Sequence, residues 1–182
     1  VQIVGIAGSL RAGSFNAALL RAAVEECPQQ ATLAIESIRG IPLYDGDVEA
    51  AQGIPARAAE LKERIAAADA LLLVTPEYNN SIPGVFKNAI DWMTRPPADV
   101  PRVFKGRAVG LIGASPGAYG TVLSQTAWLP VFRTLGMRPY FGQLLYVGGA
   151  AKVFDASGRL ADDAIRARLR KYLEGFVEFV AG

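Results

Sequence analysis

Short apolar runs alternate along the whole chain with longer segments of helical periodicity. Val1-Gln2-Ile3-Val4-Gly5-Ile6-Ala7 is nearly continuous and β-branched, as in a strand buried on both faces. Gly8 to Gly13 reads as a turn. A helix follows, with Ser14 as its N-cap, Phe15, Ala18, Leu19 and Ala22 on one stripe, and Pro28 closing it. Ala31 to Ser37 predicts a second, alternating strand, with Leu33, Ile35 and finally Ser37 on one side. Residues 40–53 read as a long connection, and long connections often carry function.

The alternation continues. A helix is predicted from Pro55 to Ala68, with proline in its favoured first turn, then a bare apolar strand from Ala70 to Thr75. Pro83 to Thr94 predicts a shorter helix, with Val85, Phe86, Ala89, Ile90 and Met93 at helical spacing, ended by Pro96-Pro97. Arg107 to Gly113 gives a fourth strand, Tyr119 to Leu135 a helix disturbed at Pro130, and Pro139 to Val147 a fifth strand. The last helix, Asp162 to Val180, sets Ile165, Leu169, Leu173, Phe176, Val177 and Val180 on one face. Five β–α units without repeat or linker predict a single three-layer α/β domain over residues 1–182, its parallel sheet covered on both faces. Such sheets bind ligands beyond the carboxyl ends of their strands. Function is therefore expected in the loops after strands 1, 3 and 4.

Composition narrows the chemistry. The 182 residues include no histidine, which removes the Ser-His-Asp and Cys-His couples, imidazole zinc ligation and an imidazole base. The lone Cys27 forms neither an internal disulfide nor a cysteine-rich metal site, and reads as structural in a reducing compartment. A net charge of +2 is too slight and scattered for nucleic acid or a membrane surface. No apolar run approaches a bilayer span, and no basic segment precedes the apolar Val1 to Ala7. The expectation is a soluble, cytoplasmic protein without a signal peptide or metal, whose chemistry comes from a bound cofactor.

The first loop, Gly8-Ser9-Leu10-Arg11-Ala12-Gly13-Ser14-Phe15-Asn16, offers a helix N-terminus, two hydroxyls, a guanidinium and an amide. Those groups suit a terminal phosphate; a plain capped turn is the other reading. It ends in no Gly-Lys-Ser/Thr, and Gly5, Gly8 and Gly13 do not have dinucleotide-fingerprint spacing. The second loop, Thr75 to Gly84, is rigid and polar enough to lie along a flat heteroaromatic ring. Its Glu77 also reads as a solvated acid or as a cap on the helix that follows, and Asn88 and Asp91 as ties between loop and helix. The third, Gly113-Ala114-Ser115-Pro116-Gly117, matches the G-x-S-x-G elbow of α/β-hydrolases, but no histidine can take the serine proton, so a hydrolase is rejected.

Together, Gly8-Ser9-Leu10-Arg11 with Ser14 and Asn16, Pro76-Glu77-Tyr78-Asn79, and Pro83-Gly84-Val85-Phe86-Lys87-Asn88-Ala89-Ile90-Asp91-Trp92 resemble the NADPH-dependent FMN reductase family. This is the flavodoxin-like group that includes quinone, chromate and azo-dye reductases, and the similarity runs in element order over essentially the whole chain. The resemblance implies a five-stranded flavodoxin-like sheet, bound FMN, and a homodimer, often paired into a tetramer, with the flavin near the subunit interface. By motif match, Ser9, Arg11, Ser14, Phe15 and Asn16 would hold the FMN phosphate. Pro76, Glu77, Tyr78 and Asn79 would line the isoalloxazine, and Ser115, Pro116, Gly117 and Gly120 would form a third wall. Leu43 to Glu49 resembles the family's P-L-Y-x-x-D-L-E loop near the partner subunit, with Val48 in place of leucine.

The implied reaction passes hydride from NADPH or NADH to FMN, then two electrons to a quinone, chromate, azo dye or free flavin. No catalytic side chain is assigned; backbone N–H groups at Ser115 to Gly117 are the candidates for stabilising charge on the ring. A flavodoxin-type electron carrier is the alternative, against which the weakly basic charge and the single tyrosine of the second loop weigh. A nucleotide-binding module without FMN is a third.

Overall fold

Consecutive residues of the central strands send their side chains into two different cores. In the computed structural model, which describes all residues Val1–Gly182, Ile3, Leu72, Val74 and Ile112 belong to one core, and Val4, Leu71, Leu73 and Val109 to the other. That two-sided burial explains why these strands read as bare apolar runs rather than alternating ones. Each fully buried Leu, Ile or Val contributes about 1.5–3 kcal/mol. The strands are β1 (Gln2–Ala7), β2 (Thr32–Glu36), β3 (Ala70–Val74), β4 (Ala108–Ala114), β5 (Arg138–Pro139) and β6 (Leu145–Val147). All pairs are parallel, in the order β2-β1-β3-β4-β5, with β6 also on β4.

Helix α1 (Phe15–Glu25) and the C-terminal helix α7 (Asp163–Ala181) cover one face; α3 (Ala56–Ala67), α4 (Gly84–Met93), α5 (Val100–Val103) and α6 (Val122–Leu135) cover the other. Leu169, Tyr172, Leu173, Phe176 and Val177 of α7 are fully buried. This is the flavodoxin-like α/β fold, and every strand points its carboxyl end at the same side of the sheet.

Four details differ from the sequence pattern. The 40–53 connection contains helix α2 (Gly46–Gln52), capped by Asp45; it buries no residue and so carries no apolar stripe to announce it. The fifth strand is two short pieces. Pro139 offers no N–H to a ladder, and Gly142 folds over the Tyr140 ring, where a Cβ would stand 2.6 Å from the ring edge. At the edge strand β2, Leu33 is buried while Ile35 is exposed, and the strand stops at Glu36, short of Ser37. Helix α6 starts at Val122 rather than Tyr119, because a turn closed by Gly120 N–H to Gly117 O occupies the intervening residues. The helix runs unbroken through Pro130, which sits on its solvent side.

Candidate functional site

The loops after β1, β3 and β4 meet at the carboxyl edge of the sheet, as the topology requires. In the first, the N–H groups of Ser9, Leu10, Ala12, Gly13, Phe15 and Asn16 donate to no acceptor in the chain. Arg11 takes part in no ion pair; its guanidinium reaches Gly13 O at 2.7 Å and lies 5.7 Å from the Phe15 ring centroid. Ser14 Oγ caps α1 by accepting Ala17 N–H at 3.2 Å. Unpaired N–H groups at a helix N-terminus, beside a guanidinium with no acidic partner, are a donor set suited to an anion of phosphate size. Phe15 stacks on Phe154, centroids 5.8 Å apart, so its share in that donor set is its backbone N–H. Asn16 differs from its expected role. It is buried, and its side-chain amide is spent on Ala114, leaving only its N–H for an anion.

The second loop is a tight hairpin. Tyr78 and Ser81 exchange two backbone hydrogen bonds, each 3.1 Å, around Asn79 and Asn80, both with positive φ (50° and 62°). Asparagine tolerates that left-handed conformation, which a mirror-type two-residue turn demands at both central positions. Tyr78 is exposed, and its hydroxyl lies 3.4 Å from Ser9 Oγ, at the first loop. Glu77 does cap a helix, though not the following one: its Oε2 accepts the N–H groups of Leu123 (2.9 Å) and Ser124 (3.0 Å) at the start of α6. Pro76 is buried beneath the turn.

The third loop is stitched to the segment after β6. Ser115 N–H donates to Val147 O (2.9 Å), Gly149 N–H to Gly117 O (3.0 Å) and Ala150 N–H to Ser115 O (3.0 Å). Gly117 N–H turns back onto Ser115 Oγ at 3.1 Å. The N–H donors expected at Ser115 to Gly117 are therefore committed inside the chain, and Pro116 has none; the unpaired N–H groups here belong to Ala118 and Tyr119. Gly120 is buried with φ +65°.

Sequence reasoning passed over two contributors. Gly148 approaches the third loop so closely that a Cβ would stand 2.2 Å from Ala118 O; the Gly148-Gly149 pair after an apolar run was the available signal. Below the loops, Thr75 Oγ1 contacts Ser124 Oγ (2.9 Å) and accepts Trp128 Nε1–H (3.2 Å), a buried network with no local motif. Asn88 does tie a loop to its helix, but the loop is the 40–53 connection rather than the second one: it accepts Tyr44 N–H and donates to Pro42 O. Asp91 pairs with Lys87 instead. Glu49 bonds Arg95 and Tyr44; the Arg95 guanidinium holds its carboxyl below the usual range. A cavity of about 510 Å³ lies away from the loops, between α4, α5 and α6, with Lys87, Arg95 and Thr134 on its wall.

A parallel sheet of order β2-β1-β3-β4-β5, with unpaired N–H groups where β1 hands over to α1, defines a flavodoxin-like α/β protein. The chain belongs to the NADPH-dependent FMN reductase family, whose sequence model matches residues 1–152. It is 41% identical to an NAD(P)H-dependent FMN reductase of Pseudomonas aeruginosa, over 96% of this chain and 92% of that one. It is 34% identical to a 2-hydroxy-1,4-benzoquinone reductase of a Burkholderia species, over 99% of this chain and 96% of the relative. Among solved structures it superimposes on the flavoenzyme NAD(P)H:(acceptor) oxidoreductase FerB of Paracoccus denitrificans, with TM-score 0.87, 31% identity, and coverage of 99% and 97%. No helix is long and apolar enough to cross a membrane.

Proposed function

We propose that the chain is an FMN-dependent NAD(P)H oxidoreductase that reduces quinones or similar flat acceptors. The observation that carries this is the first loop, where six backbone N–H groups have no internal acceptor and the Arg11 guanidinium, bonded only to Gly13 O, has no acidic partner. An FMN phosphate fits that donor set, held by the loop's N–H groups, the Ser9 hydroxyl and Arg11. Pro76 to Asn79 on one side and Ser115 to Gly120 on the other would border the ring. FMN, when bound, supplies hydride acceptance from a nicotinamide and two-electron delivery to the acceptor.

The chain's own part is binding and exclusion. Tyr78 and Tyr119, on the second and third loops, are exposed and would offer apolar faces to a planar molecule. The free N–H groups of Ala118 and Tyr119 are the third loop's available donors toward negative charge. The chain has no histidine to move a proton, and water can supply the protons. Assembly as a homodimer, or a dimer of dimers, in the cytoplasm belongs to the same reading.

The test is to purify the protein, measure its flavin content, and follow oxidation of NADPH and NADH with a small benzoquinone. FMN-dependent turnover is expected; FMN binding without turnover would make the protein a carrier, and failure to bind FMN would overturn the reading. Sedimentation of the FMN-loaded protein tests the dimer.

A further inference from the structure

In the sheet, the inner edge of β4 loses its partner before the strand ends. Thr75 N–H donates to Ile112 O at 2.9 Å, the last backbone bond between β3 and β4, because the chain turns away at Pro76. Ser115 N–H faces the other edge, toward Val147 O, so Ala114 between them presents its N–H and C=O to the vacated side. Asn16 fills that gap from 98 residues away: its Nδ2 donates to Ala114 O at 2.8 Å and its Oδ1 accepts Ala114 N–H at 2.9 Å. Both residues are buried, Asn16 only 2% exposed. One amide thus reproduces the donor and acceptor of the missing strand.

The geometry points to Asn16 as a positioning residue that fixes the distance between the first and third loops, and not as a side-chain ligand of the phosphate. Asn16 sits at the second residue of α1, so whatever holds its amide also holds the helix N-terminus that forms the anion cradle. Ala114 directly precedes Ser115, so the same amide anchors the start of the third loop. Movement of one loop against the other would break two buried hydrogen bonds at once, which the site cannot replace with water. The inference rests on the proposed FMN site, since its consequence is that phosphate and ring are gripped at a fixed separation.

Asn16→Asp separates the two roles. A protonated carboxyl can donate to Ala114 O and accept Ala114 N–H, as the amide does, whereas a carboxylate faces Ala114 O with like charge and loses one bond. Burial raises a carboxyl pKa, so the exchange falls within reach of titration. Relative to the native protein at each pH, FMN affinity of the variant should fall at least tenfold at pH 8 and recover to within about threefold at pH 5. Riboflavin affinity should fall as well at pH 8, because the ring wall moves. A loss confined to FMN, with riboflavin untouched, would make Asn16 a phosphate ligand and overturn the inference. Hydrogen exchange at the Ala114 amide of flavin-free protein supplies a readout independent of turnover: slow in the native chain, fast in the variant at pH 8. If Asn16→Asp does not fold, Asn16→Ser, which keeps at most one of the two bonds, should show the same exchange and losses of affinity for both flavins. Native protein that binds no FMN would defeat the proposed function while leaving the exchange test intact; slow Ala114 exchange in both variants would defeat the clamp.

Discussion

Thr75 Oγ1 and Ser124 Oγ lie 2.9 Å apart beneath the second and third loops, both fully buried. The contact joins the last residue of the third strand region to the first turn of α6, and Trp128 Nε1–H completes it. Thr75→Val keeps the shape and removes the hydroxyl, leaving the indole N–H without an acceptor. The expected cost is about 1–3 kcal/mol of unfolding free energy, read by urea denaturation of flavin-free protein. An unchanged midpoint would show that the network does not hold these loops.

Arg11 is the one guanidinium of the first loop, and it is exposed and free of acidic partners. Arg11→Ala should therefore leave stability almost untouched while weakening FMN by about 1.5–3 kcal/mol, the scale of a charge-assisted hydrogen bond. Fluorescence titration with FMN measures it. Equal affinities would place the phosphate elsewhere.

Gly148 has no room for a side chain against Ala118 O. Gly148→Ala must push the segment after β6 off the third loop, with bonds such as Gly149 N–H to Gly117 O broken on the way. Reduced FMN affinity with a smaller loss of melting temperature is expected, since the clash lies at the site and outside both cores. Calorimetry with and without FMN distinguishes the two effects.

Acid should loosen α7 and the α5 region. Burial pushes the Glu26 carboxyl up, but hydrogen bonds from Arg166 and Arg170 outweigh it and leave its pKa lowered. Asp99, bonded by Arg102 and Lys62, is lowered to about 2. Carboxylates with folded pKa values below their unfolded ones stabilise above the unfolded value, and that stability disappears as pH falls through the folded one. Stability should accordingly hold at neutral pH and decline from about pH 4.5 toward pH 2. Glu26→Gln should flatten part of that decline; a flat native profile across this window would contradict it.

What the sequence made legible follows from period and burial. Strands β1, β3 and β4 are covered on both faces, so their composition alone gave them away, and the loops at their carboxyl ends followed from topology. Exposed α2 has no periodic stripe, and β5 and β6 are too short to show one. In the site, Arg11 and Ser14 could be named because their roles are local. Glu77 and Asn16 could not be placed, because their partners at Leu123, Ser124 and Ala114 lie 46, 47 and 98 residues away. Side chains of the same type serve as ligand or as brace depending on what the fold brings opposite them.

Helix α7 begins after the stretch that matches the family ends, at residue 152, yet five of its side chains are sealed into the core beneath α1. The stretch that matches the family model and the folding unit are thus different lengths of chain. A fragment cut at the family boundary would keep every loop of the cradle and still leave the apolar surfaces around Ile112, Leu145 and Val147 open to water. Such a fragment would be driven to aggregate before it could present its binding loops, so the last helix, which packs on α1, β4 and β6, governs whether they exist at all.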